Sequence, residues 1–244
     1  MIPETIVETY PIPKRVLVIY AHPDDAEFFA GGTIARWASE GAHITLLLIT
    51  SGDKGTGDRA IPSEMLSKMR EAETRAAAEK LGIQDVIFVR WRDGEVLPSL
   101  DLRRIMVRMI RLKQPDTVLS SDPQTRWRGN RRLNHPDHWI VAGEVMSAVY
   151  PAARDHLNFP ELLEDEGLEP HITPYLYLAL PTTPNLRVET TDFQEQKMMA
   201  LREHQSQIPD FEERRQKLAE RIDLTLSTPD KPRYAEYFRL IDLS

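Results

Sequence analysis

The chain has 244 residues, 28% of them charged, with a net charge of −7 and no cysteine. That length is enough for a sizeable core, and 1–244 reads as one domain. The acidic balance offers no general attraction for nucleic acid or an anionic membrane surface, and the lack of cysteine excludes a disulfide framework, thiolate ligands and a cysteine nucleophile.

In chain order, Met1-Ile2-Pro3-Glu4-Thr5 has no basic flank leading into an apolar segment. No apolar run reaches membrane-spanning length, so a cytoplasmic protein without a membrane span is expected. Val16–Ala21 reads as a first strand, and Glu27–Glu40 has helical spacing. A second strand, Ile44–Thr50, contains Leu46-Leu47-Leu48-Ile49, the unbroken apolar pattern of a strand covered on both faces. Helix Ser63–Leu81 aligns Met65, Met69, Ala72 and Ala76; strand Val86–Val89 and helix Leu100–Lys113, with Leu102, Ile105, Met106 and Met109 on one face, follow. Gly41 and Gly82 stand at expected helix stops, and Thr117–Ser120 and Tyr175–Leu180 complete the strands. This alternation predicts an α/β, Rossmann-like, mostly parallel sheet flanked by helices. After about residue 150, the six prolines from Pro151 to Pro184 and the acidic Glu161–Glu169 predict a proline-rich C-terminal excursion, a surface segment or lid. Asp192 with Glu195 reads as a capping box opening a helix to about Gln205.

Chemistry concentrates in two short motifs, His22-Pro23-Asp24-Asp25 directly after the first strand and His135-Pro136-Asp137-His138 far downstream. His22 and Asp25 lie i, i+3 and can face one ion; Asp24 must point elsewhere. His135 and His138 repeat that spacing. A catalytic zinc site takes three protein ligands and leaves a position open, so one histidine of the second pair remains over. A lone His-Pro-Asp-Asp would serve equally as a helix-capping turn; the second cluster turns the reading to a metal-dependent hydrolase with a nitrogen and oxygen shell, zinc or another divalent ion.

In open α/β sheets the ligand crevice lies beyond the carboxyl ends of the strands. There stand His22–Asp25, Asp53, Arg92-Asp93 and Asp122 after the first four strands. Ser51–Gly57 lacks phosphate-loop spacing, and Gly31-Gly32 comes too late for a dinucleotide fingerprint, fitting close helix packing instead. His43, His156 and His171 read as surface or hydrogen-bonded residues and His204 as a supporting one; Trp91 and Trp127 flank the expected crevice.

Ala21–Asp25, Gly31-Gly32-Thr33 and His135–His138 closely resemble the LmbE-like, or PIG-L, superfamily of zinc-dependent de-N-acetylases. Arg70-x-x-Glu73, Trp91-Arg92-Asp93 and Lys197 through His204-Gln205-Ser206-Gln207 extend the similarity over most of the chain. The resemblance implies the LmbE-like fold, a Zn²⁺ cofactor and an N-acetylglucosamine-type sugar or glycoside as small-molecule partner. It implies His22, Asp25 and His138 as metal ligands and Asp24 as general base. His135 becomes the acid or oxyanion stabiliser, with Asp137 orienting and charging its ring. Arg70, Asp93 and Asp53 would reach substrate, with Arg92 beside them. Leu133 departs from the tyrosine that mycothiol-type deacetylases place there, which puts that substrate in doubt. A homo-oligomer is expected. The alternatives are an amidase of a thiol conjugate, a hydrolase of another bond, and a non-catalytic sugar-binding module.

Overall fold

The computed structural model describes residues 6–8, 10–130, 132–220, 222–228 and 230–244; Met1–Thr5, read above for its composition, lies outside the described residues. The elements run β1 (Arg15–Tyr20), α1 (Asp25–Ser39), β2 (His43–Thr50), α2 (Ser63–Leu81), β3 (Asp85–Trp91), α3 (Leu100–Lys113) and β4 (Thr117–Ser121). A two-stranded ribbon of β5 (Trp127–Arg128) and β6 (Arg132–Leu133) follows, then α4 (Pro136–Ser147), α5 (Pro160–Glu164), β7 (Tyr175–Ala179) and β8 (Leu186–Glu189). Last come α6 (Gln194–Glu203), α7 (Phe211–Ala219) and β9 (Ala235–Asp242). The main sheet has seven strands in the order β3-β2-β1-β4-β7-β9-β8. Its first five are parallel, and β9 pairs antiparallel with both β7 and β8.

Alternate residues of β1 feed two cores. Val16, Val18 and Tyr20 join one apolar layer with α1 and α2, while Leu17, Ile19 and Ala21 join the other with α3 and α4. Burial on both faces is why β1 and β2 read as continuous apolar runs. The chain reverses at β1, with β2 and β3 on one side and β4 on the other. That reversal opens a crevice beyond the carboxyl ends of β1 and β4.

Helices α2 and α3 end where the sequence predicts, α2 on Gly82 at φ +75° and α3 opened by the Ser99 hydroxyl accepting from the Leu102 N–H. The expected inner face of α2 is corrected: Met65 is 54% exposed, and Leu66, Arg70, Thr74, Ala77, Ala78 and Leu81 are buried instead. The capping box is corrected too. Residues Thr191–Phe193 form a 3-10 turn, no side chain caps α6, and Glu195 instead pairs with Arg215. The segment after residue 150 is tied to α3. Buried Arg111 of α3 donates to the carbonyls of Ala152, Asp155 and Asn158, and Arg104 and Arg108 pair with Glu161 and Glu166.

Helix α1 breaks at Ala30 (φ −149°, ψ 17°). The freed N–H groups of Gly32 and Thr33 donate to Glu236 of β9 at 3.0 and 2.8 Å, and Lys197 of α6 closes the pair at 2.7 Å. Gly32 is required there, because a Cβ would lie 2.6 Å from that of Thr190. Among the described residues no helix is long and apolar enough to cross a membrane.

Candidate metal centre and cleft

Beyond β1 the chain turns sharply through Asp24, whose φ of +80° is left-handed, and α1 starts at Asp25. That conformation is uncommon outside glycine, asparagine and aspartate, and it separates the directions of two adjacent carboxylates. Asp25 folds back, one oxygen accepting the His22 N–H at 2.9 Å and the other lying 3.1 Å from His138 Nε2. His135 caps α4, and Pro136 occupies its first turn, so His138 emerges one turn later toward Asp25.

The two imidazoles are set by their outer nitrogens. Asn134 Nδ2 donates to the Thr125 carbonyl at 2.7 Å, which leaves Asn134 Oδ1 facing His138 Nδ1 at 2.9 Å; that ring nitrogen must carry the hydrogen. Asp137 lies 3.2 Å from His22 Nε2 and also accepts the Gly94 N–H at 2.7 Å, so His22 likewise donates outward. The lone pairs of His22 Nδ1 and His138 Nε2 then face each other across 3.0 Å, with Asp25 carboxylate oxygens 3.6 and 3.1 Å away. Two acceptors and a carboxylate at these separations need a positive species between them. Donors about 2.0–2.1 Å from one tetrahedral ion stand about 3.3 Å apart, so the set fits a divalent metal.

The electrostatics agree. Burial works against a charge on His22, yet Asp137, Asp25 and Asp93 hold its pKa well above the usual imidazole value, and burial of Asp25 is outweighed by His138 and His22, which hold it far below the carboxylate range. A field that draws a proton onto a histidine draws a cation equally. Burial, reinforced by Asp25, pushes the Asp24 carboxyl up to about 8.

Several expected roles change. Asp137 serves His22 rather than His135: its carboxylate is 3.9 Å from His135 Nδ1, and that nitrogen accepts the Asp137 N–H at 3.2 Å. Burial, with His22 nearby, lowers the His135 pKa, and Asp137 offsets this only in part. Asp93 faces both histidines, 3.2 Å from His22 Nε2 and 3.7 Å from His135 Nε2. Asp53 accepts the Asp93 N–H at 2.8 Å, and Arg92 lies exposed 3.9 Å from Asp53. Arg70 is buried and committed to the carbonyls of Gly52, Lys54 and Gly55 at 2.6, 2.7 and 3.3 Å. It therefore supports the loop after β2 instead of offering itself to a ligand. Asp122 is a turn residue, bonded to the Gln124 and Thr182 N–H groups.

A brace from α6 was only partly foreseen. His204 Nε2 lies 3.4 Å from Glu27, Ser206 binds Glu73 through both its N–H and hydroxyl, and Gln207 Nε2 donates to the Pro23 carbonyl at 3.2 Å. Asn134 was missed; its signal was its place four residues before His138, one helical turn away. The cleft beside this candidate centre has a volume of about 270 Å³ and is lined in part by Asp24, His135 and His138. Among the described residues that line it, none comes from 151–174.

A sequence profile described as PIG-L, GlcNAc-PI de-N-acetylase, matches residues 17–149. A diacetylchitobiose deacetylase of Thermococcus kodakarensis is 32% identical over 229 residues, 93% of this chain and 83% of that one. A 1D-myo-inositol 2-acetamido-2-deoxy-alpha-D-glucopyranoside deacetylase of Thermobispora bispora is 35% identical over 170 residues, covering 58% of this chain and 53% of its own length. Among solved structures, the N,N'-diacetylchitobiose deacetylase of Pyrococcus horikoshii, complexed with its inhibitor MPG, superposes with a TM-score of 0.80 at 29% identity, covering 94% of this chain and 84% of that one. A 4-carboxy-2-hydroxymuconate hydratase from Pseudomonas putida reaches 0.76 at 21% identity, covering 95% and 97%, a likeness of fold alone.

Proposed function

The chain belongs to the PIG-L, or GlcNAc-PI de-N-acetylase, family of LmbE-like proteins, and from that membership we propose that it is a zinc-dependent hydrolase releasing acetate from an N-acetylglucosamine-type sugar or glycoside, with 1–244 acting as one catalytic unit. The observation that carries this reading is the opposed pair of imidazole lone pairs beside Asp25, with Asp24 and His135 lining the same small cleft. His22, Asp25 and His138 would hold the ion. A zinc ion there supplies polarisation of the acetamide carbonyl and acidification of water.

The chain's own groups supply the proton transfers. Asp24 takes a proton from the attacking water as its oxygen bonds to the acetamide carbon. His135, whose Nε2 faces Asp93, donates a hydrogen bond toward the developing oxyanion, and the proton that Asp24 took from water passes to the nitrogen as the carbon–nitrogen bond breaks. Acetate and the amine, which takes up the second proton of the water, then leave, and Asp24 is again a carboxylate. Asp137 and Asn134 keep the ligand tautomers fixed.

Metal-stripped protein reloaded with zinc and assayed for acetate release from N,N'-diacetylchitobiose and N-acetylglucosamine glycosides tests the reading. Activity restored by the metal is expected. Folded, metal-loaded protein that releases no acetate from any of these sugars would overturn it.

A further inference from the structure

The sharp turn between β1 and α1 carries Asp24, and most of its torsions are fixed locally. The pyrrolidine ring fixes φ of Pro23. The Asp24 carbonyl accepts the Phe28 N–H at 3.0 Å as the first bond of α1. The Pro23 ring also meets the loop after β2, where a Cβ on Gly52 would lie 3.3 Å from its Cδ. What stays soft is the peptide joining Pro23 to Asp24, turned by ψ of the first residue and φ of the second. That φ is +80°, a left-handed value that aspartate tolerates without preferring. The Asp24 side chain does not hold the turn either. It stands at the N-cap of α1, where an aspartate ordinarily accepts a backbone N–H, yet it makes no capping hydrogen bond.

The holding contact comes from 184 residues away, where Gln207 Nε2 donates to the Pro23 carbonyl at 3.2 Å. This is the carbonyl of the soft peptide itself. Half-buried Gln207 belongs to a short turn after α6 whose place is set from two helices. Fully buried His204 lies 3.4 Å from Glu27 in the first turn of α1, and Ser206 donates to Glu73 of α2 through its N–H at 2.8 Å and its hydroxyl at 2.7 Å. The His204 carbonyl accepts the N–H groups of Gln207 and Ile208 at 3.1 and 2.9 Å, which closes the turn. The amide therefore reaches Pro23 from a fixed base.

We infer that Gln207 is a positioning residue: its amide holds the Pro23–Asp24 peptide, and with it the left-handed turn that places the Asp24 carboxylate on the cleft wall. This rests on Asp24 as the general base of the deacetylase reading and names a residue that acts through it. Any net rotation of the held peptide swings the Asp24 Cα–Cβ bond relative to β1, and a displacement of about 1 Å at a reacting group costs on the order of 10²-fold in rate. His22 does not depend on the same contact. Its N–H is bonded to Asp25 and its ring is backed by Asp137.

The test is Gln207→Met, which removes the donor at nearly the same length and adds no charge, in zinc-loaded protein with whichever of N,N'-diacetylchitobiose and methyl N-acetylglucosaminide the wild type hydrolyses faster. A fall in kcat of about 10- to 10²-fold is expected, with KM within about twofold and zinc content unchanged. Combined with Asp24→Asn, the same substitution should cost less than about twofold more, because a residue acting only through Asp24 has nothing further to lose. Gln205→Met, at an exposed position of the same turn, should leave kcat as it is. A kcat near wild type, a loss of zinc alongside the rate, or a penalty that adds in full to that of Asp24→Asn overturns the proposal. If only the shorter Gln207→Asn folds, it is read in the same way; failure of both to fold would make Gln207 a support of the fold and overturn it too. Should the wild type hydrolyse neither sugar, the deacetylase reading fails by itself, and crystal structures of the wild type and of Gln207→Met decide the role of the contact: a Pro23–Asp24 peptide turned over in the variant upholds it, and one left in place overturns it.

Discussion

Helix α1 carries a buried ionic cluster at each of two points, and they are built in opposite ways. Midway along it, Glu236 receives two backbone N–H groups and the Lys197 ammonium, so its charge is matched entirely by protein. At its start, Asp25 faces two imidazoles whose lone pairs also face each other, and the positive partner has to come from outside. Closure suits the first cluster to support; incompleteness suits the second to binding. Burial and charge alone do not separate a brace from a site, whereas a count of donors against acceptors does.

The comparison breaks most visibly at the open cluster. His22→Ala, Asp25→Ala or His138→Ala should strip most bound zinc and take acetate release to background, while the far-ultraviolet dichroism stays native; full zinc occupancy in His138→Ala would exclude it as a ligand. Asp24→Asn and His135→Ala should keep their metal yet lower kcat by about 10²- to 10⁴-fold. Asparagine tolerates the φ of +80° at position 24, so a loss of rate there would not come from a distorted turn.

At the closed cluster the prediction reverses. Glu236→Ala leaves Lys197 buried without its partner and should destabilise the fold by about 3–5 kcal/mol in urea unfolding, with the surviving folded enzyme still active. If this variant instead lost zinc and kept its stability, the two clusters would not be distinct. A finer probe is Asp137→Asn, which weakens the acceptor behind His22 and should reduce zinc affinity by about 10- to 100-fold in a competition titration. The smallest change is expected from Arg70→Met, which frees three loop carbonyls and should cost about 1–3 kcal/mol of stability without altering zinc content.

Much of the parallel half of the fold was legible because its signals are local. Strands β1 and β2 are buried on both faces, α2 ends on Gly82 and α3 begins on Ser99, and each of these is written in neighbouring residues. The antiparallel end was not. In β9, Glu236 and Arg239 interrupt the apolar pattern, and Glu236 is inside only because a broken helix and Lys197 meet it there. At the centre, the i, i+3 spacing of His22 with Asp25 and of His135 with His138 brought out the residues that converge. Their outer partners follow from tertiary packing: nothing near Asp137 in sequence says that its carboxylate reaches His22, and nothing near Arg70 says that three carbonyls of the loop after β2 surround it.

The interruption of α1 at Ala30 divides the helix mechanically. The short stretch before it carries Asp25 and the cleft residues Phe28 and Phe29, and the longer stretch after it carries Ile34 and Trp37 into the core. A continuous helix would transmit every rotation or slide of its core half directly to the Asp25 carboxylate. With the joint, repacking around Trp37 can be absorbed before it reaches Asp25, so the interior is free to drift in composition while the alignment of the reacting groups stays fixed.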